Sequence, residues 1–408
     1  MTGKEFFTTR AVSEALELFV PSRRTPAERV GLAEALHRVP VADVVSDDDL
    51  PGFARSTVDG YAVQAADTYG ASEGIPSYLD LAGSVPMGAG SSVPVRSGQA
   101  VAVPTGGALP EGADAVVMVE HTAESVGGTV EVVRPVAPGD GLVGADEDVA
   151  AGDVLAHAGR RLRAQDLALL AAAGTVDLDV HRRPRVAIVS TGDELVEAAT
   201  PHLATGQVRD ATSWALAALV SEAGGVPDVR GIVADDPSSL EEALRAGLSS
   251  SDLVVVSAGS SVGARDETAA VVARLGDPGI WCHGLAVRPG KPTLLAECQG
   301  VPVVGLPGNP LSALVVFRLV GVPLVHRVGG CVAPPAPTTA RATLSRQIPS
   351  AAGRLDVVQV RVVDGVAEPL FGRSALLTVL TRADGYVVVP DQATGVDAGA
   401  DVQVVLYS

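Results

Sequence analysis

Apolar residues recur at helical spacing near the start of the chain and again after residue 160. Over residues 11–20 one helical face is apolar, and it carries Val12, Ala15, Leu16, Phe19 and Val20. A second amphipathic helix is predicted over Pro26–Arg38. A third is predicted over Ala164–Ala173, with Gly174 as its expected stop. These helices flank a middle region that has a different pattern.

The middle region, from about residue 41 to residue 140, consists of short valine-rich runs separated by Gly, Pro and Ser. Ala100–Val103 and Ala115–Val119 are two such runs. Short apolar runs bounded by turn-forming residues are typical of β-strands. The pattern therefore predicts a β-rich domain inserted between helical segments.

From Arg185 onward, apolar strands alternate with helices. The predicted order is strand Val186–Ser190, helix Ala211–Ala223, strand Asp228–Val233, helix Pro237–Leu248, strand Leu253–Ser257, helix Asp266–Leu275, strand Val301–Leu306 and a helix from Pro310. This alternation indicates an α/β domain with a parallel sheet covered on both faces. After the proline-rich link Ala333–Pro337, short valine-rich segments up to Val405 predict a small β-barrel or sandwich.

The composition is that of a folded, acidic, multidomain protein. The 408 residues include 30 Lys and Arg against 48 Asp and Glu, a net charge of −18, and 47% are hydrophobic. This hydrophobic content excludes an intrinsically disordered chain, and the length predicts about two to four domains. The negative charge argues against nucleic acid or an anionic membrane as a partner.

Targeting and cysteine signals are consistent with a cytoplasmic protein. The most apolar stretch is Val301–Val325, and no transmembrane segment is expected because it is interrupted by Pro307, Gly308, Asn309, Pro310 and Arg318. The amino terminus has Glu5 before any apolar run, unlike a secretory signal. The three cysteines fit neither a disulfide framework nor a zinc spacing.

Two rare residue types mark candidate functional loops. Lys4 and Lys291 are the only lysines, and Asn309 is the only asparagine. Lys291 and Asn309 lie in turns framed by Gly and Pro, Arg288–Pro292 and Leu306–Pro310. Because lysine offers a compact, strongly hydrated charge that arginine does not, its retention indicates a specific need. Chance survival in a GC-rich coding sequence is the alternative.

Three polar, glycine-rich loops follow predicted strands, namely Thr191–Glu194, Ala258–Gly263 and Pro307–Pro310. In open α/β sheets, ligands bind beyond the carboxyl ends of the strands, so these loops are expected to share one edge. Asn309 and Pro310 suit the cap and first position of a helix, whose free N–H groups form an anion site. Each loop taken alone is also explained by ordinary capping.

Acidic residues accompany these loops. Glu194, Asp235, Asp236 and Asp266 lie at predicted strand ends or loop starts. Carboxylates beside an anionic substrate need a cation between them, and Mg²⁺ bound by one or two carboxylates plus substrate oxygens is the usual solution. Helix capping is the alternative role for Asp235 and Asp266. The sequence contains no Walker A, Rossmann, nucleophile-elbow or zinc motif.

Five segments closely resemble the molybdopterin molybdenumtransferases, the family of MoeA and of the E domain of gephyrin. They are PGFARSTVDGYAV (51–63), TGGALPEGADAVVMVE (105–120), STGDELV (190–196), SAGSSVGARD (257–266) and RPGKP…GLPGNPLSAL (288–314). The segments occur in the family's order and cover most of the chain. The first two argue against a hydrolytic or nucleotide-processing enzyme that shares only the sheet domain.

The resemblance implies a homodimer whose subunit combines α/β and β domains. The implied domains are a split N-terminal domain (1–45 plus 145–180), a β-rich insert (46–144), a molybdopterin-binding α/β domain (181–327) and a C-terminal β-barrel (328–408). The implied reaction joins molybdate to the dithiolene of adenylylated molybdopterin and releases AMP in a Mg²⁺-dependent step. Other proteins of molybdenum cofactor biosynthesis are candidate partners.

The resemblance also implies roles for individual residues. The implied catalytic residues are Asp59, Thr105, Glu194, Asp266 and Lys291, and the implied Mg²⁺ ligands are Glu194, Asp235 and Asp266. The implied substrate-binding residues are Asp148, Ser261, Gly263, Arg288, Pro292, Pro307, Gly308, Asn309, Arg354 and Ser374. In a chain of net charge −18, local cations are expected to concentrate where dianions bind.

The chain departs from the family pattern at several positions. The usual SGGVSVG reads SAGSSVG over 257–263, and the usual aspartate, small hydroxyl residue and asparagine read Asp210-Ala211-Thr212. Arg288 replaces a lysine, and Gln359 replaces a second arginine expected after Arg354. These changes keep open the alternative of a divergent paralogue that binds molybdopterin, or a scaffold, with little catalysis.

Overall fold

The structure is a computed structural model that describes residues 9–125, 127–257, 262–373 and 375–407. For positions 124, 125 and 262–266 it describes the secondary structure of the backbone but not the side chains. The chain forms two compact units. The large unit comprises Met1–Ala42, Ala158–Arg163 and Asp177–Ser408, and the small unit comprises Asp43–His157 and Ala164–Val176.

The described helices are α1 Val12–Leu18, α2 Ala164–Ala172, α3 Thr212–Glu222, α4 Pro237–Ser250, α5 Val262–Arg274, α6 Pro310–Val316, α7 Val322–Val328 and α8 Leu377–Arg382. A π-helical turn, Phe317–Gly321, joins α6 to α7.

The strands before residue 185 are β1 Ala27–Gly31, β2 Val44–Val45, β3 Arg55–Ser56, β4 Gly60–Val63, β5 Ser77–Ser84, β6 Gln99–Val103, β7 Ala115–Met118, β8 Thr122–Ser125, β9 Thr129–Val132, β10 Leu142–Val143, β11 Val154–Ala156 and β12 Asp177–His181. The later strands are β13 Arg185–Thr191, β14 Leu195–Val196, β15 Val208–Arg209, β16 Val226–Val233, β17 Leu253–Ser257, β18 Pro278–His283, β19 Val287–Arg288, β20 Leu294–Cys298, β21 Val301–Leu306, β22 Thr339–Leu344, β23 Ile348–Pro349, β24 Leu355–Val363, β25 Val366–Pro369, β26 Gly385–Val389, β27 Gly395–Val396 and β28 Asp401–Leu406.

The small unit is built on a six-stranded sheet in the order β7-β4-β6-β5-β9-β8, as expected for a β-rich insert. Its valine-rich strands bury apolar side chains on both faces. Gly60 lies in β4 where an added Cβ would stand 2.0 Å from the carbonyl oxygen of Val117 in β7. Only glycine fits there, and this close approach sets the position of the preceding residue, Asp59.

The main sheet of the large unit has four parallel strands at its centre, in the order β16-β13-β17-β21. Helices α1, α3 and α6 cover one face around Ile188 and Phe317, while α4 and α5 cover the other around Leu244 and Val271. The predicted parallel α/β arrangement is therefore confirmed. Strands β20 and β18 extend the sheet with antiparallel pairing. The alternation of strands and helices did not predict them, because no helix separates β20 from β21.

The C-terminal sheet closes on itself, which confirms the predicted β-barrel. Its order is β19-β24-β25-β22-β28-β26, and β24 also pairs with β26. Strand β19 comes from the α/β part of the chain and pairs in parallel with β24, Val287 opposite Leu355 and Arg288 opposite Asp356. This pairing places the Arg288–Pro292 turn against the barrel.

The helix predicted over Pro26–Arg38 is wrong. Residues Ala27–Gly31 form β1, which pairs antiparallel with β12, and a 3₁₀ turn follows at Leu32–Glu34. Arg29 forms ion pairs with Asp177 and Asp179 of β12, so cross-strand contacts outweigh the helical spacing. Helix α5 also begins at Val262, before its predicted start at Asp266.

Among the described residues, the continuous helix Pro310–Val328 is long and apolar enough to cross a membrane by length and composition alone. However, 67% of its most apolar 18-residue stretch is buried inside the protein. Phe317, Val320 and Leu324 lie in the core of the large unit. The proline that was expected to interrupt the apolar stretch instead begins the helix, because β21 has already ended at Leu306.

Candidate functional site

A cavity of about 930 Å³ opens in the large unit between the Arg288–Pro292 turn, the start of α6 and the barrel. Four cationic side chains line it, those of Arg288, Lys291, Arg354 and Arg373. Asp356 is the one carboxylate among the described lining residues, so the lining carries 4 − 1 = +3 charges. In a chain of net charge −18, this concentration of cations attracts anions. We call it the cationic cavity.

Asp356 positions two of the arginines. It is only 2% exposed. Its Oδ1 accepts a hydrogen bond from Nε of Arg354 at 2.8 Å, and its Oδ2 lies 3.7 Å from Nη1 of Arg288. Lys291 and Arg373 have no carboxylate partner in the part of the chain that the structure describes. Two cations are thus organised by a buried carboxylate, and two are left to a ligand.

Backbone hydrogen bonds hold the turn that carries Lys291. The Lys291 carbonyl oxygen accepts from the N–H groups of Leu285 and Thr293, both at 2.9 Å, and the Thr293 hydroxyl donates to the Gly290 carbonyl at 2.6 Å. Gly290 has φ +119°, and an added Cβ would stand 2.2 Å from a methyl group of Val316. The turn therefore requires glycine next to the lysine. Pro292 also lines the cavity.

Asn309 occupies the N-cap position of α6 with Pro310 after it, as predicted, but its side chain makes no capping hydrogen bond. The residue lines the cationic cavity together with Leu311 and Ser312 of the first helical turn. The helix amino terminus therefore contributes its partial positive charge to the cavity wall. Pro307 is buried and Gly308 half-buried on the short link from β21.

Acidic residues lie at the carboxyl ends of β13 and β16, on adjoining loops. The Thr191 hydroxyl donates to Oδ1 of Asp235 at 2.5 Å, and the Asp235 N–H donates to Oδ1 of Asp193 at 3.1 Å. The Glu194 carboxylate is close to Gly192, where an added Cβ would stand 2.9 Å from its Oε2. Among the described residues, no three His, Cys, Asp or Glu side chains converge on one metal position.

The capping alternative considered for Asp235 is wrong, because Asp236 takes that role. The Asp236 carboxylate accepts a hydrogen bond from the Ser239 N–H at 2.8 Å at the start of α4. This bond lowers the pKa of Asp236. Asp235 is left with its Thr191 contact at the sheet edge.

The carboxylates and the cationic cavity share the carboxyl edge of one sheet. Neighbouring strands lie about 4.8 Å apart, so the ends of β13 and β16 are about 10 to 14 Å from the end of β21. This separation suits an extended ligand with an anionic end in the cationic cavity and a second polar end near Glu194 and Asp235.

Asp59 and Thr105 form a separate pair in the small unit. Oδ1 of Asp59 accepts from the Thr105 N–H at 2.7 Å and from its hydroxyl at 3.1 Å. These two bonds lower the pKa of Asp59, so the exposed carboxylate is held in its ionised form. Asp148 lies elsewhere in the same unit and is exposed. Its backbone N–H donates to the Leu50 carbonyl oxygen at 3.0 Å.

Replacing Thr105 with Val is expected to raise the pKa of Asp59, because the hydroxyl donor is lost while the backbone N–H remains. In the wild type the carboxylate stays ionised to lower pH than usual, and in the variant protonation begins at higher pH. A carbon-13 NMR titration of the Asp59 carboxyl measures this shift. Thr105→Ser keeps the hydroxyl and should titrate as the wild type does. Identical curves for the Val variant and the wild type would refute the proposed coupling.

Four predicted residues have limited or no description. Ser261 and Ser374 lie outside the described residues. Gly263 and Asp266 belong to α5, but the structure describes neither the burial of Gly263 nor the side chain of Asp266. The neighbours of position 374, Arg373 and Ala375, line the cationic cavity.

The sequence did not lead us to predict Arg373 or Asp356 as site residues, and Gln359 was noted only because it replaces an arginine of the family pattern. Arg373 is adjacent to the predicted Ser374, and Asp356 lies two residues after the predicted Arg354, so both adjoin predicted site residues. Gln359 lines the cavity and is 2% exposed. Its Oε1 accepts a hydrogen bond from the Tyr407 hydroxyl.

Gln359→Met is expected to lower the free energy of unfolding by about 1 kcal/mol, because the Tyr407 hydroxyl loses its acceptor, while removal of the buried Gln359 amide nitrogen, which has no described partner, offsets part of that cost. Burial raises the pKa of Tyr407 to about 12, so that hydroxyl remains a donor at any working pH. Adding Tyr407→Phe removes both partners and should recover part of that loss. Urea unfolding measures both variants, and a double variant less stable than the single one would contradict this pairing.

Comparisons with known proteins cover nearly the whole chain. Family models match it as the MoeA N-terminal region (domain I and II) over residues 10–174, a probable molybdopterin binding domain over 187–327 and the MoeA C-terminal region (domain IV) over 341–407. The molybdopterin molybdenumtransferase of Haemophilus influenzae is 31% identical, with 93% of this chain and 94% of that protein aligned. That of Bacillus subtilis is 32% identical, with 93% and 89% aligned. The crystal structure of a molybdopterin biosynthesis MoeA protein from Pyrococcus horikoshii OT3 has a TM-score of 0.84 at 30% identity, covering 98% of this chain and 100% of that one.

Proposed function

Because the chain belongs to the molybdopterin molybdenumtransferase family and so acts in molybdenum cofactor biosynthesis, we propose that it joins molybdate to the dithiolene of adenylylated molybdopterin and releases AMP. The family resemblance seen in the sequence is confirmed. The proposed working form is a cytoplasmic homodimer, with other proteins of the same biosynthesis as partners.

The cationic cavity is the observation that carries this proposal. Lys291 offers a compact point charge and Arg373 a guanidinium fork, both without a described carboxylate partner, while Asp356 holds Arg288 and Arg354 in the cavity wall. A cavity of about 930 Å³ is far larger than molybdate requires, so it leaves room for part of the pterin. In this account the cavity binds the oxyanion and holds it beside the dithiolene.

The carboxylates that follow β13 and β16 are suitable ligands for Mg²⁺. Glu194 and Asp235 offer hard oxygen ligands from two adjoining loops, and Mg²⁺ commonly takes one or two carboxylates and completes its shell with water and phosphate oxygens. Glu194 and Asp235, with Asp266, would hold the ion. When bound it neutralises charge on the phosphate oxygens of the substrate. Thr191, through its bond to Asp235, orients that carboxylate.

Asp59 and Thr105 are proposed to act on the same substrate. The carboxylate is held ionised by two hydrogen bonds from one residue, which fixes its orientation as well as its charge. A fixed, exposed, ionised carboxylate can accept a proton or hold a cation. Asp148 is proposed as a further substrate contact.

The test is AMP release from adenylylated molybdopterin in the presence of Mg²⁺ and molybdate. Wild type is expected to release AMP only when molybdate is added, and Asp59→Asn and Lys291→Ala are each expected to suppress this release. Pterin binding without AMP release by the wild type would contradict the proposal and favour the divergent paralogue. That alternative rests on the altered SAGSSVG segment and on the altered Asp210-Ala211-Thr212 segment.

A further inference from the structure

A second basic cavity, of about 130 Å³, lies in the large unit at the opposite edge of the main sheet. Its wall includes Pro184, directly before β13, and Gly224, two residues before β16. Strand β13 spans seven residues, so this cavity is on the order of 20 Å from the carboxyl edge where Glu194 lies. It is too far away to share a ligand with the candidate functional site.

Two arginines in this cavity have no carboxylate partner among the residues that the structure describes. Arg161 is half-buried, and its one described side-chain hydrogen bond runs from Nε to the His37 carbonyl oxygen at 3.3 Å, which leaves both terminal NH₂ groups without an acceptor. Arg183 is exposed and has no described ion pair. Burial and the charge of Arg183 lower the pKa of Arg161.

The other charged groups in the wall are already paired. Arg38 bonds to Glu28, Arg182 forms two hydrogen bonds with Asp252, and Glu222 lies 3.6 Å from Arg318. The excess positive charge at the cavity therefore comes from Arg161 and Arg183. A half-buried guanidinium with free terminal groups is a planar, two-pronged receptor for an oxyanion.

No described hydrogen bond runs from the side chain of Arg161 or Arg183 to a carbonyl oxygen at a helix end. The cavity lies at the carboxyl ends of α3 and α7, where cations are commonly placed against free carbonyl groups. Here backbone N–H groups already bond the carbonyl oxygens of Leu219, Val220 and Ser221 at the end of α3. At the end of α7, those of Val325, His326 and Arg327 are bonded in the same way.

His326 adds a neutral hydrogen-bonding group to the wall. It is 7% exposed, and its ring makes no hydrogen bond to any described residue. Burial and the charge of Arg161 lower its pKa to about 4, so the imidazole is uncharged at neutral pH. It can give or take one hydrogen bond without adding to the positive charge.

We propose that this cavity is a second oxyanion site, in which Arg161 and Arg183 bind one small tetrahedral dianion such as phosphate or molybdate. Its volume equals that of about four water molecules, enough for one such ion. The bound ion would link residues 36–39 and Arg161 to the ends of α3 and α7. It would thereby stabilise the large unit without taking part in the reaction.

The experiment counts oxyanions bound per subunit by equilibrium dialysis of the full chain, with molybdate and with phosphate in separate arms. Wild type should bind two, one in each cavity. Arg161→Gln and Lys291→Ala should each bind one, and the double variant none. Binding of either ion alone at the second site supports the proposal and identifies the ion.

Arg245→Gln is the matched control, because Arg245 is exposed on α4, is ion-paired with Glu241 and gives the same change of charge. It should bind two oxyanions. If Arg161→Gln fails to fold, Arg183→Gln serves instead, since its side chain is exposed, and it should weaken the second site at least tenfold. A wild type that binds one oxyanion, lost in Lys291→Ala, would overturn the proposal. So would an Arg161→Gln or Arg183→Gln variant that binds both as tightly as the wild type.

Discussion

Lys291→Ala is expected to lower molybdate-dependent AMP release by about two orders of magnitude or more. Lys291 is a cation of the cationic cavity with no described carboxylate partner, so its charge is available to the substrate. Removing it reduces the lining from +3 to +2, by the count of four cations against Asp356. Release should be measured at saturating pterin over a range of molybdate concentrations.

Two further variants test whether the effect depends on the charge at position 291, on the shape of its side chain or only on the net charge of the protein. Lys291→Arg keeps the charge but replaces the point charge with a planar fork, so an intermediate rate is expected. Arg245→Ala removes one positive charge from an exposed site on α4 and should react like the wild type. If Lys291→Ala also retained the wild-type rate, the cationic cavity could not be the oxyanion site.

Gly60→Ala is expected to have the largest effect on stability, about 3 kcal/mol of unfolding free energy. The added Cβ would stand 2.0 Å from the Val117 carbonyl oxygen, so the edge strand β7 would have to separate from β4 in the small unit's sheet. Because no flexible side chain can yield there, the backbone must move. Urea unfolding followed by a probe in the small unit measures the change.

Gly74→Ala is the matched control for this prediction. Gly74 is in the same unit, is exposed and has no atom within 4 Å of the added Cβ. Its substitution should change the free energy of unfolding by less than about 0.5 kcal/mol. Equal stability of the Gly60 and Gly74 variants would show that β4 and β7 are not packed as described.

The parallel core could be predicted because burial of its strands on both faces leaves a simple sequence record, and the barrel because buried valines alternate with exposed residues, as Val402 and Val404 do in β28. Leu253–Ser257 is buried at every position and appears as an uninterrupted apolar run between polar loops. Residues 27–31 leave no such record, since only Val30 of β1 is buried. Their strand depends on pairing with β12, about 150 residues later, which no local pattern contains.

Part of the candidate site was visible in the sequence because rare residues in glycine- and proline-framed turns drew attention to it. Arg288, Lys291, Asn309 and Arg354 line one cavity, although they are spread over more than 60 residues. Asp356 was not predicted, because its role depends on the pairing of β19 with β24, which sets it beside Arg288. The same limit applies to Arg161 and Arg183 at the opposite edge of the sheet, which only the tertiary structure brings together.

The most direct test of the central claim is a single-turnover reaction in which AMP released and molybdenum retained on the pterin are measured in the same sample. One molybdenum atom is expected to be inserted for each AMP released, and both quantities should be near zero when molybdate is omitted. AMP release that proceeds equally without molybdate, or that leaves no metal on the pterin, would show a hydrolase and contradict the account.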